Sequence, residues 1–580
     1  MSSKRVLRLE VSEQNLVKNM VYSFSERTTV LKELLQNCRR AGATRIELNI
    51  DLDAKLISVR DNGSGIKDMQ DLLKIANSGW DQKIKNEESA FGMGWISCLF
   101  SCDEVYVASN HTFMEFKTKD VLDFKGVNEG ELIESITGTL VELRGCENTL
   151  KGKSKNEVDS IVSHICMGFP VDVYFNGVLQ DSKYSIKNDL NFKETDIGEI
   201  GVYGDVSQVS SFRGTGFNFQ AYLQGFFIAR SLNQGNDFLV IHLDQNKFKG
   251  TMPDRNSLHN ATESVKIIKE ALNSFFREKI ISDREKMPEG LWLRTYWELF
   301  DEVDLVDMRN ESDLVPVSEF KKWVNDSNDY VVDDARIDSL LDDCDESDFP
   351  EGVVKDGCVS KSEIIKHNIK FIETPCFSMY SNFGLCELIC NELNFKLINT
   401  AVLAGHWLID DFVIDLDVIA NENEIEVESI NEKAFGNYGG THLNTTCAVK
   451  LAEGFKITLQ PGSVNEIKFT TLDSFSIVDG NGEWAQLFVN PNASYGFLMH
   501  QVCEYSDEYD GYNQTWEDEE QNDFEIYIDG LNGAKSSDIV ARILEKVRYD
   551  LINNPALANQ CFILNFNEKG VFQVEEKLAA

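Results

Sequence analysis

Residues Ser25 to Gly42 read SERTTVLKELLQNCRRAG, and this stretch decides the fold. At about 100° per residue, Val30, Leu31, Leu34, Leu35 and Cys38 fall on one arc of a helix, the stripe expected to face a core. Ser25 is the expected N-cap, and Gly42 stands where a glycine ends a helix. Glu33 and Asn37 lie one turn apart on the flank of that arc, so both can address one cleft. Taken alone, the pair reads more simply as a polar couple on a solvated helix face. The sequence that follows gives it a use.

Outward from this helix, Thr44 to Asp51 and Leu56 to Asp61 alternate as half-buried strands of a hairpin. The second strand runs into Asp61-Asn62-Gly63-Ser64-Gly65, where glycines permit tight turns and close approach of backbone to a ligand. Lys67 to Ala76 predicts a short helix, and the polar stretch from Asn77 to Glu88 predicts a mobile lid. Phe91-Gly92-Met93-Gly94-Trp95 then opens an apolar helix, ISCLFSC, whose free N–H groups suit a phosphate. Strands follow, ending in Thr137-Gly138-Thr139 and LVEL. A short helical segment precedes the first long helix, so residues 12 to 42 read as two helices.

ELLQN, RDNGSG, FGMGW and TGT, in this order and spacing, resemble the GHKL ATPase superfamily, which spans gyrase, the ninety-kilodalton heat-shock chaperones, histidine kinases and MutL. NCRRAGATRIEL is similar to the MutL form of the first motif. IANSGW and FGMGWISCLFSCDEVYVAS are closer to the chaperone form. The resemblance covers residues from about 20 to 145. It implies an α+β fold: a two-layer α/β sandwich of the Bergerat type over 1–150. Asn156 to Phe175 resembles the chaperone segment that leads to the middle domain, with Asn176-Gly177 as a hairpin turn. Strands between Ile197 and Leu243 and a helix capped by Asn260, with Glu263 three residues on, resemble a transducer domain over 151–286.

The resemblance implies roles position by position. Glu33 orients or deprotonates water, Asn37 offers an oxygen to Mg²⁺, and Asp61 accepts from the adenine amino group. Gly63 and Gly65 admit the base; Gly92, Met93 and Gly94 present N–H groups to the phosphates; Thr139 supports Asp61 and a bridging water. Lys247, Lys249 and Arg255 are the cations available to reach the terminal phosphate, with Arg255 taken as the catalytic one. One position departs from the pattern: relatives read N-x-x-D-A, whereas this chain has Arg40 in place of the aspartate. By helical geometry Arg40 lies about 20° from Glu33 around the axis. It is expected either to pair with Glu33, weakening it as a base, or to face the phosphates, or to extend to solvent.

The net charge of −40 on 580 residues disfavours bulk binding to nucleic acid or anionic membranes. Thirteen scattered cysteines fit reduced thiols. The pairs Cys98/Cys102 and Cys386/Cys390 read as buried helix thiols rather than half-sites for a metal. No apolar run is long enough to span a bilayer and no signal-peptide core is visible, so a cytoplasmic location is expected.

Beyond Met287 no family is recognised. Residues 287–350 read as a helical stretch over Trp292 to Phe300 followed by an acidic linker, and 351–580 as an unrecognised mixed α/β domain. There, Phe455 to Leu459 and Phe524 to Ile528 predict strands, and Ser537 to Leu551 a helix. Cys503 to Asp523 reads as an exposed acidic loop. The function implied is a slow ATPase, with ATP and Mg²⁺ as cofactors. Its lid and homodimer would close on nucleotide and act on a protein partner in the manner of the heat-shock chaperones. The alternatives are a MutL- or gyrase-like DNA-associated ATPase, or a nucleotide-gated interaction protein with little hydrolysis.

Overall fold

The computed structural model describes residues 12–23, 28–74, 94–188, 190–209, 216–231, 238–251, 255–323, 341–373, 382–399, 403, 405–421, 424–443, 445–461, 465–479, 483–503, 505, 511 and 513–577. The chain divides into two compact units, Met1–Arg309 and Asn310–Ala580.

The first unit begins with α1 (Glu13–Asn19) and α2 (Thr29–Arg40). The stripe predicted for α2 is buried, from Val30 to Cys38. Its N-cap is Thr28, which makes no side-chain capping bond; Ser25 falls outside the described residues. At the other end Gly42 is left-handed (φ +75°). Gly42 N donates to Arg39 O at 3.0 Å and Ala43 N to Cys38 O at 3.1 Å. This is the paired closure of a Schellman end, and it satisfies the carbonyls of Cys38 and Arg39.

Strands β1 (Arg45–Asp51) and β2 (Leu56–Asp61) pair antiparallel from Ile46↔Asp61 to Asp51↔Leu56. Alternation sends Ile57, Val59 and Asp61 to the same buried side of β2, so the carboxylate inherits a core position from the pattern of its strand. Further on come α3 (Ile96–Ser101), β3 (Glu104–Lys117), α4 (Thr118–Leu122), β4 (Glu129–Arg144), α5 (Lys155–Cys166), β5 (Asp172–Phe175) and β6 (Val178–Leu179). The sheet order is β3-β4-β2-β1-β5-β6, antiparallel except for the β1–β5 pair. One core joins the inner faces of α2, α3 and α5 to this sheet, the two-layer α/β sandwich. Met69–Leu73 forms a single 3-10 turn where a helix to Ala76 was expected, and the lid at 77–90 falls outside the described residues. Asn176 and Gly177 are both left-handed and turn β5 into β6.

A second sheet holds β7 (Lys193–Thr195), β8 (Gly198–Tyr203), β9 (Phe219–Leu223), β10 (Phe226–Arg230) and β11 (Phe238–Leu243), in the order β10-β9-β11-β8-β7. Gln224 and Gly225, with φ of 56° and 87°, make the tight turn between β9 and β10. Helix α6 (Ala261–Asp283) buries Ile268, Leu272, Phe276 and Ile280, a strict four-residue stripe. Asn260 precedes it, but its backbone is left-handed (φ 51°) and its side chain makes no capping bond, so the predicted capping box does not form.

The second unit carries small sheets of three, five, three and four strands, and a C-terminal hairpin. Phe455–Leu459 is a strand, as predicted, whereas the single helix expected over Ser537 to Leu551 is two, Ser536–Lys546 and Arg548–Asn553, broken at Val547. Phe524 to Ile528 is not a strand. It lies within helix Gln514–Leu531, which buries Phe524 and Ile528 one turn apart. That helix also corrects the reading of an exposed acidic loop from Gln514 onward. Glu520 is fully buried and accepts from Tyr438 Oη at 2.8 Å and from the amides of Thr441 and His442 at 3.0 Å each. Within the expected acidic linker, Leu341–Asp343 is a strand, with Leu341, Cys344 and Phe349 buried.

Candidate nucleotide site

Three stretches of the first unit meet at one end of the sheet: α2, the turn after β2, and the start of α3. Glu33 is 6% exposed despite its charge. The Gly94 backbone is pressed against its carboxylate, so that a Cβ built on Gly94 would fall inside the Glu33 side chain. With glycine at 94 the backbone and the Glu33 carboxylate can lie this close without either moving. Asn37 stands one turn further along α2, and Arg40 Nη1 lies 3.5 Å from Asn37 Oδ1. The arginine that replaces the family aspartate therefore reaches the carboxamide oxygen.

Asp61 accepts from Gly63 N at 2.7 Å, from the Cys38 thiol and from the Thr139 amide. Burial raises its carboxyl above the usual range, against the lowering effect of those donors. Burial and the neighbouring carboxylate also push the Cys38 thiol well up, so it remains a neutral donor to Asp61. A Cβ on Gly63 would meet Ala41 O at 2.7 Å. Gly65 is left-handed (φ +73°), and a Cβ there would meet Ser109 Oγ at 2.7 Å. Gly138, at φ +77°, lies so close to Asp61 that no side chain fits between them. Ser109 ties the far wall together. It donates to Gly138 O at 2.9 Å, accepts from Ile66 N at 2.8 Å and lies 3.5 Å from Thr139 Oγ1.

Glu33, Asn37, Asp61, Gly63, Gly65, Gly94 and Thr139 thus belong to the same end of the sandwich. Gly92 and Met93 lie outside the described residues. The three candidate cations separate. Lys247 is engaged by the Asp196 carbonyl. Lys249 Nζ donates to Gln245 O at 2.6 Å, and Arg255 Nη1 to Gln224 Oε1 at 3.2 Å. Arg255 is itself left-handed (φ 51°), an uncommon state for a bulky residue.

Sequence reasoning passed over the contacts that join this site to the second sheet. Gln36, 1% exposed, donates from Nε2 to Gln224 Oε1 at 2.6 Å. Lys32 Nζ donates to Asn256 Oδ1 at 2.7 Å. Helix α2 therefore has Glu33 and Asn37 on one flank, while Lys32 and Gln36, one turn apart, reach Asn256 beside Arg255 and Gln224 in the β9–β10 turn. Position 36 was in the quoted stretch; its partner, 188 residues away, leaves no local signal.

The residues fit an adenine nucleotide. A buried carboxylate stands beside glycines whose missing side chains leave a cradle, and α3 opens at Gly94 beside a carboxylate placed to address water. Asn37 carries a neutral oxygen, the type of ligand a magnesium ion shared with phosphates and water takes. Residues 22–152 match the family described as "Histidine kinase-, DNA gyrase B-, and HSP90-like ATPase". This N-terminal module is a GHKL-superfamily ATPase domain.

Among curated proteins, the chain is 34% identical over 116 residues to the DNA mismatch repair protein MutL of Aquifex pyrophilus, covering 20% of this chain and 26% of that one. It is 53% identical over 49 residues to MutL of Klebsiella pneumoniae and 51% over 49 residues to MutL of Salmonella arizonae, 8% of each chain in both cases. The chain thus spans about a quarter or less of the length of these relatives. Their names lend no support to the charge-based expectation against nucleic acid. Among the described residues, no helix is long and apolar enough to cross a membrane.

Proposed function

We propose that the first unit binds Mg²⁺-ATP between α2 and the glycine turns and hydrolyses it slowly. Nucleotide-dependent closure would then be passed through the second sheet to a protein partner, with two copies associating in the closed state. The observation that carries this reading is the contact of Gly94 with Glu33. It holds a buried carboxylate against the turn where the phosphates would end, which is where a group must orient water. Asp61, kept in place by Gly63, Cys38 and Thr139, would accept from the adenine amino group. Asn37 would hold the magnesium ion, which supplies charge neutralisation across the phosphates. Arg255, on a loop tied to α2, would answer the charge that develops on the terminal phosphate.

Calorimetry and turnover test this together. Glu33→Ala should retain nucleotide and lose hydrolysis, whereas Asp61→Asn should lose nucleotide. Heat from neither ATP nor ADP with the unaltered protein would overturn the proposal.

The matches to MutL favour a second reading, in which the partner is DNA. Salt-dependent DNA binding by Glu33→Ala saturated with ATP would support it. Capture of a protein by the same trapped form, with no DNA bound at low salt, would support the chaperone-like clamp.

A further inference from the structure

The turn after β2 is held from behind by the ribbon of β3 and β4, and the ribbon is irregular where it does so. Ser109 pairs with Thr139 but Asn110 with Ile136, so β4 sets two extra residues, Thr137 and Gly138, against a single step of β3. The backbone is left-handed on both sides of this bulge, at Asn110 (φ 54°) and at Gly138 (φ 77°). Asparagine is among the few residues that tolerate that state. In a regular strand successive side chains point to opposite faces, so Ser109 and Asn110 could not both address one neighbour. Here they do. Ser109 Oγ accepts from Ile66 N at 2.8 Å, and Asn110 Nδ2 donates to Ile66 O at 3.1 Å. Both polar groups of the Ile66 backbone are thus taken by adjacent residues of β3. Gly65 fits against them because it lacks a side chain: a Cβ there would lie 2.8 Å from Asn110 Nδ2.

We propose that Asn110 is a positioning residue for the base end of the nucleotide, clamping the turn of Asp61, Gly63 and Gly65 at Ile66 in the conformation that receives the base. The proposal rests on the reading of this end of the sandwich as a nucleotide site. The turn has two fastenings. At its start Gly138 packs against Asp61 and Asn62; at its end Asn110 and Ser109 hold Ile66. With the second undone, Gly65 and its neighbours regain freedom that binding must then remove, and the cost appears as lost affinity. The bond from Asn110 goes to this turn, whereas Glu33 and Asn37 stand on α2 and Gly94 before α3. Loss of the clamp should therefore be felt at the base and not at the phosphates. An asparagine that merely steadies the ribbon would weaken both together or neither.

Calorimetry of the full chain with Mg²⁺-ADP and with Mg²⁺-tripolyphosphate, which has phosphates but no base, separates these cases. Asn110→Gly accepts the left-handed backbone and removes the carboxamide. Its affinity for ADP should fall about tenfold, the size of effect expected from one hydrogen bond. Its affinity for tripolyphosphate should stay within about twofold. In ATP turnover KM should rise by the same factor as the ADP loss, with kcat within about twofold. Asn110→Asp keeps the size and the backbone tolerance but, ionised, cannot donate to a carbonyl. Its ratio of ADP to tripolyphosphate affinity should fall as far, which rules out slack in the glycine backbone and serves if the glycine variant fails to fold. Parental affinity for ADP in either variant, or equal weakening of both probes, overturns the role of Asn110 and leaves the nucleotide reading intact. No heat from ADP or ATP with the unaltered protein overturns that reading, and the role of Asn110 with it.

Discussion

Gln36 Nε2 donates to Gln224 Oε1 at 2.6 Å, joining the helix of Glu33 and Asn37 to the turn between β9 and β10. The same Gln224 oxygen accepts from Arg255, and Gln224 Nε2 donates to Gln245 Oε1 at 3.2 Å. One carboxamide thus sets the distance between α2 and the loop that carries the cation. In Gln36→Met the side chain keeps its length and helix preference but cannot donate. Nucleotide affinity should stay within about twofold, while turnover falls about tenfold, the split expected of a group that positions others rather than binds substrate. Gln224→Asn should add little to Gln36→Met in a double-mutant cycle. An unchanged turnover number in Gln36→Met would remove the link from the mechanism.

Gly94→Ala forces a methyl group into the Glu33 carboxylate. The atoms that a Cβ on Gly94 would meet are the far end of the Glu33 side chain, so that side chain is the part that must yield. Turnover should fall by about 100-fold or more, as for loss of a positioned base. The melting temperature should change by no more than a few degrees. ATPase rate and thermal unfolding on the same preparation check both halves.

The pH dependence of stability should carry the mark of Asp61. Burial raises its folded carboxyl above the unfolded value, so the folded chain holds that proton more tightly than the unfolded one. The resulting stability is fully present below the unfolded carboxyl range and is lost as pH rises through the folded value. Asp61→Asn, which is neutral throughout, should flatten that decline. It should leave the nucleotide-free protein at least as stable as the parent at neutral pH, even as nucleotide binding disappears. Denaturant unfolding between pH 4 and 8 reads this directly; a steeper fall in the variant contradicts it.

Arg40 lies against the oxygen proposed for magnesium, and a guanidinium there opposes a cation electrostatically. Arg40→Asp should lower the Mg²⁺ concentration for half-maximal turnover about tenfold, consistent with one favourable charge replacing one unfavourable charge near the site. Turnover titrated against Mg²⁺ at fixed ATP decides the matter, and an unmoved midpoint removes Arg40 from the site.

The parts of this molecule legible in its sequence are those encoded locally. The α2 stripe, the β1–β2 alternation, the glycines beside Asp61 and the Asn176-Gly177 turn depend on neighbours a few residues away. The polar ties between distant loops do not. Lys32 and Asn256 are 224 positions apart, and nothing near either one specifies the other. Nothing in the strand around Ser109 marks it either, because its three partners arrive from two other segments. Phe524 to Ile528 misled for a different reason: FEIYI alternates well enough for a strand, and the helix is fixed by its Asn513 cap and by packing of Phe524 and Ile528 against the core. Asn260 shows the converse, a sequence suited to capping that a left-handed backbone prevents from acting.

The end of α2 and the glycine turn after β2 are joined with less than a methyl group to spare. Ser64 N donates to Ala41 O at 2.9 Å, and the missing side chain of Gly63 is the space that Ala41 occupies. Neighbours this close cannot drift separately: a library that varies residues 41 and 63 independently would return almost only the parental pair. Attempts to retune which base the pocket accepts would therefore do better to begin on the opposite wall, around Ser109 and Thr139, where hydroxyls rather than backbone set the clearance.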